Sequence, residues 1–432
     1  MKVSVKRLIS LLVIVVMLFS LVACSKDVAI QDENVQSESE EELSGEITIW
    51  SWDVAAKSLE YAASNFKKIH PNVNIIIDDL GNSQVYDKLT TSLATNSGLP
   101  DVVTIEGERI SGFAKKFPDS FVDFTSIINK DKFLSVKISE ASVDNSIMAY
   151  PWDGAPAGIF YRTDLFKKAG INANDINTWS DFIDAGVKMN EIGVKMIPIA
   201  ASRNDTLFRF IYNQLGGYYF DKDGNTTLNT KNAIKAMSIV KEMYDAEITY
   251  DNVNWDGLVT ASKEGKVATV ANAVWWAGTL QSECTETAGN WAVMPLPKAS
   301  ENSSTTSING GSSLMVPKGG GNSKVASEFV KFAMTDIDSI VYSFKEYGLY
   351  PSYIPAFENE IFNEEVEYFG GQKIWKLFAE LGKKVPQLNF TENFGEANDL
   401  VVDGQSRILL EDASVEETLN KLQEELVNKF GK

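Results

Sequence analysis

Tryptophan stands directly before aspartate at two places in the chain, Trp52–Asp53 and Trp152–Asp153. Each pair joins a large aromatic face to a carboxylate that accepts hydrogen bonds. Such a set can stack on a sugar ring and bind its hydroxyls, or cage a polyamine through cation–π contacts. With Glu108, the two aspartates could also supply the paired acids of an exported glycoside hydrolase. The residue types therefore leave three chemistries open.

Metal and nucleophilic chemistry are poorly supported. His70 is the only histidine, and it precedes Pro71, where a helix should end at the surface. A Ser-His-Asp set or a histidine zinc site would have to use it. The turn at 221–225 suggests a calcium loop, but Gly224 and Asn232 fall at the wrong positions for an EF-hand. We predict no metal and no cofactor.

The first 45 residues indicate export. A basic start precedes the apolar run 8–19, which is shorter than the roughly 20 residues that a membrane span needs. Residues 1–23 are therefore predicted to be a signal peptide, with an uncleaved anchor helix as the alternative. The ending Leu-Val-Ala-Cys resembles the lipobox of bacterial lipoproteins, which implies lipidation, such as palmitate, on Cys24. Residues 24–45 then form the lipidated cysteine and a disordered acidic tether on the extracellular face of the cell membrane.

Composition limits the function further. The formal net charge of −19 argues against a nucleic-acid partner, which requires a basic face. Cys284 has no second cysteine to pair with once Cys24 is lipidated, so no disulfide is expected. The length allows two or three domains.

The elements that must position the tryptophans and carboxylates alternate between strands and helices. Residues 46–52 read as a strand, 59–69 as an amphipathic helix, and 73–77 as a second strand. Capping boxes are predicted at Thr178 and Ser414. This alternation, repeated after a Pro/Gly-rich crossover, predicts an α/β protein of two lobes, each a helix-covered sheet, with the ligand cleft between them.

Several sequence landmarks, in order, resemble one family. They are the Leu-Pro-Asp-Val-Val run at 99–103 with Glu108–Arg109, the Tyr-Pro and Ile-Phe-Tyr-Arg-Thr-Asp-Leu-Phe runs at 150–151 and 159–166, Gly265 to Trp276, and Trp291 to Pro297 with Gly310–Gly311. The chain thus resembles the extracellular solute-binding proteins of ABC importers, in the oligosaccharide-binding group similar to maltose-binding protein. The resemblance runs from about residue 46 to the C-terminus.

The resemblance implies the two-lobed periplasmic-binding-protein fold with mixed sheets. We expect an N-terminal lobe at 46–153 plus about 305–350, and a C-terminal lobe at 154–304 plus about 351–432. The lobes would close around an oligosaccharide and deliver it to the transmembrane permease without catalysis. The chain would act as a monomer.

The ligand site implied by the resemblance combines strand-end and crossover residues. Glu106 competes with Glu108 for one role, Asp53 could also cap the next helix, and Trp275 matches the family's stacking tryptophan. Phe394 lies near its last stacking aromatic. Ala155 stands where maltose-binding protein has an acid, so the ligand geometry should differ. The predicted ligand-binding residues are Trp52, Asp53, Glu106, Glu108, Arg109, Trp152, Asp153, Asn272, Trp275, Gly310, Gly311 and Phe394.

Alternatives to a sugar-importing protein remain. The same fold could bind a polyamine or another small solute, the chain could be a glycoside hydrolase, or it could be a structural lipoprotein without a ligand. The tryptophan-rich strand ends favour a β-linked or pentose-containing oligosaccharide over a single hexose.

Overall fold

The computed structural model describes residues 42–251 and 254–431. The predicted signal peptide, Cys24 and most of the predicted tether lie outside the described residues. From Leu43 onward the chain forms one compact unit. Within the described residues no helix is long and apolar enough to cross a membrane.

The strands of the described residues are numbered in chain order. They are β1 (Gly45–Ser51), β2 (Val73–Asp79), β3 (Val102–Glu106), β4 (Ser142–Val143), β5 (Ser146–Ile147), β6 (Tyr150–Pro151), β7 (Ala157–Arg162), β8 (Ile197–Ile199), β9 (Thr249–Asp251), β10 (Thr269–Ala273), β11 (Trp291–Met294) and β12 (Ser312–Met315).

The α-helices of the same residues are numbered likewise. They are α1 (Asp53–Ile69), α2 (Asn82–Thr95), α3 (Gly107–Lys116), α4 (Ser135–Ala141), α5 (Thr163–Lys168), α6 (Trp179–Glu191), α7 (Thr206–Gln214), α8 (Lys231–Asp245), α9 (Trp255–Lys263), α10 (Trp276–Glu283), α11 (Ser323–Ala333), α12 (Ile337–Tyr347), α13 (Ile374–Gly382), α14 (Phe394–Leu410) and α15 (Val415–Phe430).

The first lobe is built on a five-stranded mixed sheet in the order β2-β1-β3-β12-β6. Strand β1 runs parallel to β2 and β3, while β12 runs antiparallel to β3 and β6. Its buried apolar cluster draws on residues 43–152 and 314–334. The carboxyl ends of β1 and β3 therefore lie at the same edge as the start of β12.

The second lobe contains the antiparallel sheet β10-β7-β11 and the parallel pair β8-β9. Two buried apolar clusters surround these strands, and one of them extends into α14 and α15. Helix α4 contributes to both lobes, because Val136 packs in the second-lobe cluster while Ala141 packs in the first.

The predicted capping residues Thr178 and Ser414 both stand directly before a helix in the structure. Thr178 forms both hydrogen bonds of the predicted capping box, and the side chain of Ser414 accepts a bond from the Glu417 N–H at 3.4 Å. The alternative role for Asp53 as a helix cap is wrong. Trp52 precedes the helix, and Asp53 is its first residue, with φ of 44°.

Three segments of the chain lie side by side at the junction of the lobes. The first is around Asp153, the second around Ile308 to Ser312, and the third around Pro351. Asp153 forms a β-bridge with Pro351, and Pro156 forms one with Ile308. The division of the chain into lobes at the residue numbers given above remains a prediction.

Candidate functional site

The strand-end residues of the first lobe meet the start of β12. Glu106 pairs with Ser312 in the sheet register, and the Gly107 N–H donates to the Gly311 carbonyl at 3.1 Å. This pairing places Gly310 beside the N-terminus of α3. The structure therefore brings Glu106, Glu108 and Gly310 together although about 200 residues separate them in sequence.

A polar aromatic cluster covers the same edge. The Tyr86 hydroxyl donates to Glu106 Oε2 at 3.0 Å, and the Arg109 guanidinium lies over the Tyr86 ring at 4.9 Å. Trp52 packs edge-on against Tyr86, with ring centroids 5.9 Å apart. Burial, followed by the negative charge of Glu106, raises the pKa of Tyr86, so its hydroxyl stays a donor. Tyr86 thus links three of the predicted residues.

A small cavity of about 100 Å³ is lined by residues of both lobes. Acidic side chains line one wall, and Arg209 faces them from α7. Burial raises the pKa of Glu108, and the positive charge of Arg209 opposes this rise. The cavity therefore presents carboxylate acceptors opposite a guanidinium donor. Its lining residues are Glu106, Gly107, Glu108, Glu140, Arg209, Tyr218, Ile308, Asn309, Gly310 and Phe390.

Arg209 is held rigidly. Its Nε donates to Asp205 Oδ1 at 2.9 Å, and its Nη1 donates to the Tyr218 hydroxyl at 3.3 Å. Asp205 also accepts bonds from Tyr219 and from Asn398 Nδ2. Burial opposes the charge of Arg209, but Tyr218 and Asp205 together raise its pKa. The guanidinium is therefore a fixed cation at the wall of the cavity.

A second cavity of about 470 Å³ adjoins the first through Asn309, which lines both. The Trp275 Nε1 donates to the Asn309 carbonyl at 3.0 Å, and Asn309 Nδ2 donates to Asn272 Oδ1 at 3.2 Å. Trp255 packs near Trp275, with ring centroids 6.0 Å apart and planes tilted by 34°. The predicted Asn272 and Trp275 thus stand together in one polar and aromatic recess.

Phe394 lies at the start of α14 and is 5% exposed. It stacks on Tyr219, with ring centroids 5.3 Å apart, and packs across Phe390. It also borders a cavity of about 670 Å³ together with Glu108 and Arg109. Phe394 therefore belongs to a buried aromatic group with Tyr219 and Phe390 at the border of this cavity.

Some predicted residues lie elsewhere. Trp152 is 7% exposed and belongs to the first-lobe core, and Asp153 is 8% exposed. Asp153 Oδ1 accepts the Ser312 N–H at 2.5 Å, which ties the segment around Asp153 to the start of β12. Asp53 is exposed at the surface, where its N–H donates to Asp79 Oδ1 at 2.9 Å. None of the predicted residues Trp52, Asp53, Trp152, Asp153 and Gly311 lines a cavity described here, and their role in ligand binding stays a prediction.

Three buried charged side chains, those of Lys137, Glu140 and Asp153, lie at the junction of the lobes. Lys137 Nζ lies 2.5 Å from Glu140 Oε2, with side chains 0% and 2% exposed. Burial raises the pKa of both Glu140 and Asp153, and the positive charge of Lys137 opposes each rise. Gly311 has φ of 106°, and a Cβ there would lie 2.9 Å from Lys137 Nζ. The glycine at this position is therefore required by close approach.

Metal ligands are not grouped in the described residues, where no cluster of three or more candidate side chains occurs. In the 221–225 turn, Asp221 Oδ1 accepts the N–H groups of Asp223 and Asn225, both at 2.9 Å. The aspartate therefore stabilises its own turn.

Sequence reasoning missed Arg209, Tyr218, Asn309, Trp255 and Glu140. Tyr218 follows the Gly216–Gly217 pair, and Trp255 is the first residue of a helix. A tryptophan directly after Asn254, a residue type that often caps a helix, was a usable signal in the sequence. The other positions carry no pattern that separates them from surface polar residues.

Comparison with known proteins gives consistent relatives. The model of the family described as bacterial extracellular solute-binding protein matches residues 51–337. A lactose-binding protein of Rhizobium radiobacter is 29% identical, over 89% of this chain and 92% of its own. An arabinooligosaccharide-binding protein of Bacillus subtilis (strain 168) is 25% identical, over 82% and 85% of the two chains.

The fold comparison agrees. The GacH receptor of Streptomyces glaucescens GLA.O, solved unliganded and with acarbose, superposes with a TM-score of 0.73 at 20% identity, covering 90% of this chain and 98% of that one. The predicted two-lobed α/β fold is thereby confirmed.

Proposed function

The chain belongs to the family of bacterial extracellular solute-binding proteins, and we propose that it captures an oligosaccharide for an ABC importer. The observation that carries this proposal is the 29% identity to a lactose-binding protein over 89% of the chain. The arabinooligosaccharide-binding relative supports the same ligand class. The proposed partner is the permease of that importer, and the proposed anchor is a lipid on Cys24.

The geometry supports sugar binding through two adjoining recesses. The cavity between the lobes offers Glu106 and Glu108 opposite Arg209, and its neighbour offers Trp275 with Asn272. Carboxylates accept the hydroxyl protons of a sugar, guanidinium donates to its oxygens, and tryptophan stacks on its C–H face. An oligosaccharide lying past Asn309 would contact both recesses.

The positions of Glu108 and Arg209 on different lobes support a mechanism in which the ligand closes the lobes. Glu108 belongs to α3 of the first lobe, and Arg209 belongs to α7 of the second. A ligand that bonds to both favours the closed arrangement by the free energy of those shared contacts. The three side-by-side chain passes around Asp153, Gly311 and Pro351 form the hinge in this proposal.

Binding without cleavage is part of the proposal. A hydrolase needs two carboxylates flanking the scissile bond, about 5–9.5 Å apart. The cavity holds Glu106 and Glu140 beside Glu108, so the support for binding without cleavage comes from the family and from relatives that are named as binding proteins.

Isothermal titration of the full chain in detergent tests the proposal. The ligands are lactose, galactobiose, arabinooligosaccharides, putrescine and spermidine, and each sugar is analysed for cleavage after incubation. Saturable one-to-one heat with one uncleaved sugar series is the expected result. Heat with the polyamines alone, or cleaved sugar, would overturn it.

A further inference from the structure

The recess that contains Trp255 and Trp275 has an unusual charge pattern. Arg203 is the one charged side chain among its described lining residues, and no acid lines it. The adjoining cavity between the lobes contains three glutamates. The chain has 59 acidic and 40 basic residues, so an acid-free recess around a cation runs against its overall charge.

Arg203 also differs from the other arginines of the described residues. Its guanidinium has neither a hydrogen bond nor a carboxylate partner within the described part of the chain. Each other arginine there has a carboxylate at 3.9 Å or less. Those pairs are Arg109–Glu106, Arg162–Asp164, Arg209–Asp205 and Arg407–Asp403.

Hydrogen bonds from the buried Gln405 hold the backbone of the turn that contains Arg203. Gln405 is 1% exposed, and its Nε2 donates to the Ala201 carbonyl at 3.1 Å and to the Asn204 carbonyl at 2.9 Å. The Arg203 N–H donates to the Ala200 carbonyl at 3.1 Å. The backbone of this turn is therefore held in place while the guanidinium remains free for a ligand.

Trp255 provides the face beside this cation. It is 49% exposed, and its ring packs edge-to-face on the buried Trp276, with centroids 5.2 Å apart. Because Trp255 lines the recess together with Trp275, the exposed part of its ring is open to a ligand there. Its position suits stacking of one sugar ring within reach of Arg203.

We propose that Arg203 and Trp255 form a subsite for a uronic acid unit, so that the transported oligosaccharide carries a carboxylate. Guanidinium binds carboxylate through two parallel hydrogen bonds, which a neutral hydroxymethyl group cannot accept in the same way. Apart from Arg203, the recess offers only neutral polar groups, so a carboxylate on the ligand would be the one charged partner of the guanidinium there. This inference rests on the proposed oligosaccharide-binding function.

The test is a glycan array of neutral and uronic oligosaccharides, in matched pairs that differ only in CH2OH against COO⁻ at C6, probed with the full chain in detergent. Titration of the best pair then gives dissociation constants. We expect the uronic member to bind about 10- to 100-fold more tightly than its neutral twin. Equal or tighter binding of the neutral member would overturn the subsite but leave the proposed function intact. Binding of no sugar would overturn both.

Variants separate the charge from the fold. Arg203→Gln should remove the preference for the uronic member, and Arg203→Lys should retain part of it, since lysine keeps the charge but not the planar fork. Lys235→Gln, at an exposed position of α8, removes the same charge and should bind like the wild type. A full uronic preference in a folded Arg203→Gln variant would refute the assignment of Arg203.

Discussion

Replacing Lys137 with methionine tests how much the buried charges hold the junction of the lobes together. Lys137 is fully buried against Glu140, and the buried Asp153 lies in the adjacent crossover. Methionine nearly preserves the length of the side chain but removes its charge. Two buried carboxylates then remain without their cation.

The expected cost is large. Removing one partner of a buried ion pair costs about 3–5 kcal/mol of unfolding free energy. The entropy of unfolding is about 2.1 cal/mol/K per residue, which for the unit Leu43–Lys432 amounts to roughly 0.8 kcal/mol per degree. If the unit unfolds in one transition, Lys137→Met lowers Tm by about 4–6 °C at pH 8.

The loss of stability in Lys137→Met should depend on pH, and the pKa shifts of the two carboxyl groups give its direction. Burial raises the pKa of Glu140 and Asp153 in the folded protein, and loss of Lys137 raises both further. A carboxyl group whose folded pKa is raised favours folding below its unfolded pKa, and this contribution is lost as the pH rises through the folded pKa. The variant should therefore lose most stability at pH 8 and approach the wild type as the pH falls toward 5.

Thermal melts monitored by circular dichroism from pH 5 to 8 measure this difference. Lys241→Met is the matched control, because Lys241 pairs with the exposed Asp245 and Asp412 and should cost at most about 1 kcal/mol. Lys137→Met combined with Glu140→Gln should recover part of the lost Tm. A loss that is the same at pH 5 and pH 8 would show a packing defect and refute the electrostatic reasoning.

Three further predictions concern binding and location. Trp275→Ala should weaken sugar binding by about 1–3 kcal/mol, measured by titration, and unchanged affinity would mean that the site lies elsewhere. Because burial raises the pKa of Glu108, sugar affinity should fall as the pH is lowered, and Glu108→Gln should weaken binding at pH 8 and flatten that dependence; a wild-type affinity that is constant with pH would contradict this. Cys24→Ser should move the protein from the membrane fraction to the soluble fraction after cell fractionation, and retention in the membrane fraction would favour an uncleaved anchor helix.

The sequence was sufficient to predict the fold because its signals are local. Alternation in β1, the helix stop at His70 and the capping box at Thr178 each act within a few residues. The order of landmarks then pointed to the strand ends, and two residues predicted from it, Glu106 and Gly310, line one cavity; that they bind a ligand stays a prediction.

The cavity lining was harder to predict because burial depends on distant neighbours. Trp52–Asp53 and Trp152–Asp153 share one pattern, yet Trp152 is in the core and Trp52 packs at the edge on Tyr86. Lys137 and Glu140, three residues apart on a helix, have the spacing of an ordinary surface ion pair. Their burial arises from contact with chain passes that lie elsewhere in the sequence, including Gly311.

The position of β12 in the first sheet has a consequence for the export of the chain. β12 lies between β3 and β6, so residues 312–315 complete a sheet whose other strands end at Pro151. A chain that emerges N-terminus first has an open edge on β3, and no partner for β6, until more than 150 further residues have crossed the membrane. Such long-range pairing is slow to form. The late strand thus delays completion of the first sheet and leaves its strand edges open to aggregation until residue 315 is available to pair.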